Sequence, residues 1–294
     1  HDIGFIFESS ALPAHRITGE AWTREAGLEA AASLRRRLVR TERGAYLAAW
    51  GPLSDPRGRA SSAIDTMSNL PLLYWAAGQA GDASFLVAAE AHAKATEASF
   101  IRPDFSTCHA VEYDLPSGLR RRGFTFQGFA DDSLWSRGQA WAIHGYAATA
   151  AATADVTYLR IAERLAEVYL ARAGGDSAPW WDFDDPSIPD APRDSAAAAI
   201  VASGLLDLAA LHPDRAAGAR WQGEAERIIA GLCRDHLARD DAHRGILMRG
   251  CYSQPHREGT TSAVLFGDYF FAEALCKLAM PGRLVDRPER LGAV

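Results

Sequence analysis

The stretch GYAATAAATADVTYLRIAERLA, residues 145–166, shows the pattern that decides the fold. An Ala-rich apolar segment is followed by a short turn. After the turn, apolar residues recur at the three- and four-residue spacing of an amphipathic helix. Asp155 stands in the turn, where its carboxylate can accept a hydrogen bond from the first turn of the second helix. The stretch therefore predicts a helical hairpin with Asp155 as a cap.

Two other parts of the chain repeat this arrangement. They are YWAAGQAGDASFLVAAEAHA (74–93), with Asp82 in its turn, and LLDLAALHPDRAAGARWQGEAERI (205–228), with Asp214. Stacked helical hairpins form either an open solenoid or a closed ring. A ring collects its long loops at one end, where a cleft would lie. We therefore predict an all-α fold of the α/α toroid kind with a site among its loops, rather than a helical scaffold without one.

The helical pattern covers most of the chain, and alternating strand patterns are hard to find. The predicted helices span 20–39, 64–80, 82–99, 133–152, 155–173, 194–211, 217–238 and 261–279. Proline and glycine cluster between them, as expected of turns. The chain of 294 residues is long enough to bury one large core or to split into two domains.

Composition and charge exclude several classes of protein. Hydrophobic residues make up 48% and charged residues 23%, as in ordinary globular proteins. A net charge of −6 with dispersed Lys and Arg disfavours nucleic acid as a partner. No apolar run reaches the roughly 20 residues of a membrane span. Phosphate-loop, HExxH and GxSxG motifs are absent, so we expect neither a cofactor nor a metal.

The cysteines carry information on the compartment. The four of them stand far apart and form no CxxC pair: Cys108, Cys233, Cys251 and Cys276. This spacing is typical of a reducing compartment without structural disulfides or zinc.

Asp65 opens the strongly apolar stretch IDTMSNLPLLYWA (64–76). A carboxylate at a helix start can cap the helix or interact with its dipole. The same carboxyl, flanked by Ile64 and Met67, could instead be desolvated, which raises a carboxyl pKa and allows proton donation near neutral pH. The helix N-terminus opposes that shift, and the sequence leaves both roles open.

The stretch WSRGQAW (135–141) combines aromatic and cationic side chains. Trp135 and Trp141 could stack on sugar faces, and Arg137 could bind a carboxylate through two hydrogen bonds. The alternative is a buried Trp pair with a structural Arg. His109, alone in a loop, would by default lie at the surface. A carboxylate, an Arg and several Trp without a cofactor motif suggest an enzyme that acts on a sugar-like ligand.

Seven stretches together resemble the unsaturated glucuronyl hydrolases, glycoside hydrolase family 88. They are HDIGF (1–5), AWGP (49–52), IDTMSNLPLLYWA (64–76), STCH (106–109), QG (127–128) followed by DDSLWSRGQAW (131–141), WDFD (181–184) with RDSAAAAI (193–200), and GDYFFAEAL (267–275). They keep the family's order over nearly the whole chain. The resemblance implies an (α/α)6 barrel. HDIGF lies inside that fold, so we expect residues 1–294 to be a single catalytic domain truncated at its N-terminus.

The resemblance also implies the reaction and the residues. These enzymes remove a 4,5-unsaturated uronic acid from the non-reducing end of oligosaccharides left by polysaccharide lyases, by hydrating its C4=C5 vinyl ether. Asp65 maps to the general acid/base. Asp2 maps to a second carboxylate, which orients the substrate and supports Asp65. The substrate-binding positions map to His109, Gln127, Trp135, Arg137 and Trp141, with His1, Phe5 and Trp50 beside them. The family implies a cytoplasmic location, no cofactor and no metal.

Two alternatives remain open at this point. The unsaturated rhamnogalacturonyl hydrolases share the fold and carry out the same reaction on pectin fragments. A non-catalytic carbohydrate-binding scaffold is the alternative from another class. Alginate, gellan, xanthan and glycosaminoglycan fragments are all possible sources of substrate. CYSQPHREGTTSAV (251–264) is where sulfate or acetamido recognition could lie, without a clear sulfate-binding pattern. Oligomeric state is left open too.

Overall fold

The computed structural model of the chain describes residues 2–240 and 243–280. The described residues divide into two compact units. Unit 1 comprises the residues up to Ile101 together with Ala110–Phe124, and unit 2 comprises Arg102–His109 together with the residues from Thr125 onward. That the whole chain acts as one catalytic domain stays a prediction.

Unit 1 combines helices with two small antiparallel sheets. Its helices are α1 (Ile3–Glu8), α2 (Ala11–Thr18), α3 (Ala21–Arg35), α4 (Pro56–Arg59), α5 (Leu70–Ala80) and α6 (Ala83–Ser99). Its strands are β1 (Leu38–Thr41) and β2 (Gly44–Leu47) in one sheet, and β3 (Ser61–Ala63), β4 (Ala110–Tyr113) and β5 (Arg120–Phe124) in the other, in the order β3–β4–β5. A 3₁₀ helix, Ile64–Asn69, joins β3 to α5.

Unit 2 is built around one deeply buried helix. Its helices are α7 (Ser136–Thr153), α8 (Val156–Ala173), α9 (Ser195–Leu211), α10 (Arg215–Asp235) and α11 (Leu265–Ala279). Helix α9 packs against α7, α10 and α11, and every residue from Ser195 to Leu208 is buried. Ala and Gly supply much of α9, and small side chains let neighbouring helices approach closely. A helix without a polar face is buried all round, as α9 is.

The three predicted hairpins are confirmed, and so are their caps. Asp82 accepts a hydrogen bond from Ser84 N at 2.9 Å at the start of α6. Asp155 accepts one from Thr157 N at 2.8 Å at the start of α8, and Asp214 one from Ala216 N at 2.8 Å at the start of α10. Each carboxylate satisfies an amide that the helix itself leaves without a partner.

The structure departs from the sequence expectation where the elements are short. The helix predicted over 20–39 ends at Arg35, and the chain then enters β1. The strands were not predicted because three to five residues give too little alternation to be detected. Among the described helices, none is both long and apolar enough to cross a bilayer.

The β3–β4–β5 sheet determines where several candidate residues emerge. Its register aligns Ala63 with Ala110 and Ala110 with Phe124 at one edge of the sheet. Ala63 directly precedes the 3₁₀ helix that carries Asp65. The strand ends Ala63, Ala110 and Phe124 therefore share that edge.

Candidate active site

Asp65 lies in the first turn of the 3₁₀ helix in unit 1. The N-cap position belongs to Ala63, whose backbone is extended, and no side chain caps this helix. Ile64 and Met67 are fully buried, whereas Asp65 is only partly buried. Asp65 is therefore not the N-cap, but it is the acidic residue of the first turn, which is the other structural role considered for it. Its catalytic role stays a prediction.

Asn69, at the end of the same 3₁₀ helix, joins the segments of the two candidate carboxylates. Its Oδ1 accepts hydrogen bonds from Gly4 N at 2.7 Å and from Phe5 N at 3.1 Å. Its Nδ2 donates to the carbonyl oxygen of Asp65 at 3.3 Å. Asp2 stands immediately before α1, at the N-cap position. One buried amide therefore ties the start of α1 to the backbone of Asp65.

Glycine is required at position 4 by the closeness of this contact. A Cβ atom there would lie 2.3 Å from Cβ of Asn69, which no real structure tolerates. Asn69 lies in the motif that contains Asp65, but the sequence alone predicts no role for it. The glycine of HDIGF, Gly4, indicates that another segment approaches the backbone closely at that point, but it does not identify Asn69 as the partner.

The remaining unit 1 candidates are Trp50, Phe5 and His1. Trp50 meets Phe124 edge-on, with ring centroids 5.9 Å apart, and its carbonyl oxygen accepts a hydrogen bond from Arg37 at 3.1 Å. Phe5 lies in α1 and is partly buried. His1 lies outside the described residues.

His109 in unit 2 is buried, so the default expectation of a surface histidine is wrong. Its Nδ1 is 2.9 Å from Oγ1 of Thr125, and the backbone amides of Phe126 and Gln127 both donate to it at 3.4 Å. Since amides can only donate, Nδ1 accepts and the neutral ring carries its proton on Nε2. The ring also contacts Trp135, with centroids 4.5 Å apart. His109 thus fixes the backbone at Phe126 and Gln127.

Both tryptophans of WSRGQAW are 3% exposed. Trp135 occupies the N-cap position of α7, and Trp141 lies six residues further along the helix, about 1.7 turns. Trp141 packs against Phe266 and Phe270 at centroid distances of 5.9 Å and 5.6 Å. The aromatic residues of GDYFFAEAL (267–275) and WWDF (180–183) pack largely in the core, where Phe270, Phe271, Trp181 and Phe183 are buried.

Arg137 belongs to a buried network. Its Nη1 donates to the Asp194 carboxylate and to the Cys251 carbonyl oxygen, both at 2.5 Å. Its Nη2 donates to the Tyr252 carbonyl oxygen at 2.6 Å. The residue is 2% exposed, and its charge is balanced within the protein by Asp194. The interactions seen are those of the structural alternative, and binding of a substrate carboxylate by Arg137 stays a prediction.

Asp182 and Asp194 lie in the WDFD and RDSAAAAI stretches, and the sequence alone predicts no role for either. Asp194 caps α9 by accepting a hydrogen bond from Ala196 N at 3.1 Å. Asp182 accepts hydrogen bonds from Phe129 N at 2.9 Å and from Oγ of Ser133 at 2.7 Å. Burial raises the pKa of Asp182. Asp182 thereby organises the loop that carries Gln127. An Asp immediately before an Ala-rich run was a usable capping signal for Asp194, whereas nothing local indicated the partners of Asp182.

Within residues 2–240 and 243–280, no three His, Cys, Asp or Glu side chains are grouped as metal ligands. The four cysteines are free thiols, and burial raises the pKa of Cys251 to about 12.

Comparison with known proteins places this geometry in a family. No family profile matches the chain. It is 37% identical over 283 residues to an unsaturated glucuronyl hydrolase of Bacillus sp. (strain GL1), covering 95% of this chain and 74% of that protein. It is 32% identical to an unsaturated chondroitin disaccharide hydrolase of Streptococcus pneumoniae, covering 94% of this chain and 70% of that protein.

Solved structures give the same result. The crystal structure of the unsaturated glucuronyl hydrolase from Bacillus sp. GL1 superposes with a TM-score of 0.90 at 36% identity, covering 95% of this chain and 74% of that one. An Asp-to-Asn variant with dGlcA-Glc-Rha-Glc superposes equally well, with a TM-score of 0.90. The fold class predicted from the sequence, the all-α (α/α)6 barrel of these enzymes, is confirmed. The chain belongs to the unsaturated glucuronyl hydrolases, enzymes that hydrolyse glycosyl bonds.

Proposed function

We propose that this protein releases a 4,5-unsaturated uronic acid from the non-reducing end of lyase-generated oligosaccharides, with Asp65 as general acid/base. The observation that carries the proposal is the Asn69 link, which holds the segment of Asp2 and the backbone of Asp65 together through one buried amide. Within a family of this activity, two carboxylates held on adjoining segments suit a substrate-orienting group and a proton-transferring group.

The reaction needs one proton donor that is also a base. Asp65, as the acid, gives its proton to C4 of the vinyl ether, and the positive charge is shared between C5 and the ring oxygen. Water adds to C5 and returns a proton to the Asp65 carboxylate, so the acid is regenerated. The hemiketal then opens to a C5 ketone and leaves the former ring oxygen on C1 as the hydroxyl of a hemiacetal. That hemiacetal collapses to an aldehyde and releases the remaining sugar as its alcohol. One water is consumed, and the spacing rule for paired glycosidase carboxylates does not apply.

The other residues have supporting roles in this proposal. His109 and the side-chain amide of Gln127 hydrogen-bond ring substituents of the sugar. Trp135 and Trp141 form the apolar walls. Arg137, neutralised by Asp194, holds the Cys251–Tyr252 backbone beside the first turn of α7 and acts as a positioning residue.

The substrate class follows from the relatives. Proteins named for glucuronyl and for chondroitin disaccharide substrates both exceed 30% identity to this chain. These names favour unsaturated glucuronyl substrates over the rhamnogalacturonyl alternative, and a chondroitin disaccharide and an oligosaccharide such as dGlcA-Glc-Rha-Glc are both candidates. The free thiols support a reducing, cytoplasmic compartment.

Ultraviolet absorbance of the conjugated double bond tests the proposal. We expect the signal of an unsaturated chondroitin disaccharide to decay in the presence of the enzyme, and that of an unsaturated rhamnogalacturonan disaccharide to decay far more slowly. The saturated chondroitin disaccharide is the control and should be left intact. A faster reaction with the pectin fragment would favour the rhamnogalacturonyl alternative, and a flat trace with every lyase product would contradict the proposal.

A further inference from the structure

The loop of residues 125–133 in unit 2 is held by polar groups to which the proposed function gives no role. The carboxylate of Asp131 accepts a hydrogen bond from Thr125 N at 2.8 Å, so the loop is closed on itself. The carbonyl oxygens of Asp131 and Ser133 accept hydrogen bonds from Nη2 of Arg102 at 3.3 Å and 3.1 Å. The loop backbone is therefore fixed both from within and by a neighbouring segment.

Asp182 anchors the second half of this loop. Its side chain is fully buried, and its Oδ2 accepts hydrogen bonds from Phe129 N at 2.9 Å and from Oγ of Ser133 at 2.7 Å. Its Oδ1 accepts one from Asp184 N at 2.9 Å. Burial raises the pKa of the carboxyl, and the three hydrogen bonds oppose that shift because they favour the charged form. One buried carboxyl thus holds Phe129 and Ser133 in place.

Gly128 lets the two halves of the loop approach each other. Its backbone N–H donates to Oγ1 of Thr125 at 2.7 Å. A Cβ atom at position 128 would lie 2.8 Å from that oxygen and 3.2 Å from Oδ2 of Asp182. A larger residue would therefore displace the hydroxyl or the carboxylate, which gives the glycine of the QG motif a physical reason.

The Thr125 hydroxyl connects this loop to His109. Its Oγ1 is 2.9 Å from Nδ1 of the ring, and the backbone amides of Phe126 and Gln127 donate to the same nitrogen at 3.4 Å. Because amides can only donate, Nδ1 carries a lone pair, and the hydroxyl must donate to it as well. Thr125 therefore supplies the shortest of these three hydrogen bonds to Nδ1.

We propose that Thr125 is a positioning residue of the reaction, whose hydroxyl, placed by the loop that Asp182 anchors, fixes the orientation and the tautomer in which the His109 ring meets the substrate. The proposal rests on the proposed function, since it concerns how His109 binds the same sugar. The tautomer matters because a protonated ring nitrogen can only donate a hydrogen bond and an unprotonated one can only accept. A ring with its proton on Nδ1 would direct that proton at three donors, so the loop selects the form protonated on Nε2.

Nitrogen NMR of protein with ¹⁵N-labelled histidine tests the tautomer directly. At about pH 8, above the ordinary pKa of histidine, we expect Nδ1 of His109 to resonate as an unprotonated nitrogen and Nε2 as a protonated one. The signals of His109 are assigned by their loss in His109→Asn. Thr125→Val removes the hydroxyl with little change of shape and should move both signals towards those of a ring that exchanges between tautomers. Thr125→Ser keeps a hydroxyl and should retain the wild-type signals.

Kinetics with an unsaturated chondroitin disaccharide tests the role in the reaction. Thr125→Val should raise KM about tenfold, which is equivalent to the loss of about one hydrogen bond, and leave kcat nearly unchanged. Thr125→Ser should restore the KM. The matched control is Thr153→Val, where the hydroxyl donates to the Thr149 carbonyl oxygen at 2.8 Å within α7, and both the His109 signals and KM should be those of the wild type.

Unchanged His109 signals in Thr125→Val would overturn the positioning role, and so would changed signals with an unchanged KM. If the wild type turns over no lyase product, the proposed function fails, and calorimetry with the saturated chondroitin disaccharide then takes the place of KM. An affinity about tenfold weaker in Thr125→Val than in Thr125→Ser would support the positioning role. Equal affinity in the two variants, or no binding to the wild type, would overturn it.

Discussion

The two units hold their candidate residues by different physical means. In unit 1, Asp65 and the start of α1 are held through the neutral amide of Asn69. In unit 2, Arg137 is held by a buried ion pair with Asp194. A second ionic cluster in unit 2 joins Lys277 to Asp207 at 2.8 Å and to Glu273 at 3.2 Å.

The two ways of holding a residue suit different tasks: one suits a group whose charge changes during a reaction, and the other suits a group whose charge stabilises the fold. A carboxyl that must gain and lose a proton is best held by its backbone, which leaves its charge free to change. A buried ion pair requires each partner to keep its charge, because the loss of one leaves the other uncompensated in the interior. We infer that the Arg137 segment is built for rigidity, while proton transfer by Asp65 stays a proposal that the variants below test.

The largest expected effect tests the reactive side of this comparison. Asp65→Asn removes the proton donor with almost no change of shape, so kcat should fall by at least about a thousandfold. Substrate affinity should be nearly unchanged. Single-turnover kinetics with an unsaturated disaccharide, with calorimetry for affinity, measures both. Turnover near that of the wild type would disprove the acid/base assignment.

Removal of Arg137 tests the structural side. Arg137→Ala leaves the Asp194 carboxylate buried without its cation, and we expect the free energy of unfolding to fall by about 3–5 kcal/mol. Urea denaturation followed by circular dichroism measures this loss. The control is Arg234→Ala, which breaks the exposed pair with Asp235 and should change stability little.

A stable Arg137→Ala protein with a raised KM and unchanged kcat would reverse this interpretation. It would show that the guanidinium binds substrate, as the family resemblance implies, and that its pairing with Asp194 contributes little to folding.

Buried neutral histidines predict how stability depends on pH. His92 in unit 1 accepts a hydrogen bond from Leu47 N at 3.1 Å, and burial lowers its pKa to about 3. The unfolded chain binds this proton at pH values near 6.5, so stability falls as the pH drops from there towards 3. The contribution is about 1.4 kcal/mol per pH unit within that window.

We expect His92→Asn to remove this slope, since its Oδ1 can replace Nδ1 as acceptor and does not titrate. Urea denaturation at pH 6 and at pH 5 gives the slope. His144 in unit 2, whose pKa burial lowers to about 4, should keep its own slope in that variant. Identical slopes in wild type and His92→Asn would mean that His92 is not held neutral by the fold.

A further prediction concerns the closeness of α1 to Asn69. Gly4→Ala places a methyl group against Asn69, and overpacking of this kind lowers stability by about 2 kcal/mol. Because the same contact positions Asp65, kcat should fall about tenfold with KM nearly constant. The control is Gly78→Ala in α5, where a Cβ meets nothing within 4 Å and should stabilise the helix. Equal activity in the two variants would remove Asn69 from the site.

Local patterns predicted much of this molecule. The hairpins, with Asp82, Asp155 and Asp214 as caps, follow from apolar spacing and from a carboxylate two residues before the amide it binds. The motif that contains Asp65 could also be read directly. These features depend on residues within a few positions of each other, so the order of residues is sufficient to reveal them.

Only the tertiary structure decided the partners of the charged and amide groups. Arg137 meets Asp194 across 57 positions of the chain, and Gly4 meets Asn69 across 65. The short strands of the β3–β4–β5 sheet likewise depend on residues far apart in sequence. Residue type and the family motif made Arg137 a candidate for substrate binding, and both left Asn69 without a role. Which groups meet, and therefore which charges are already neutralised, depends on packing between distant segments that no local pattern contains.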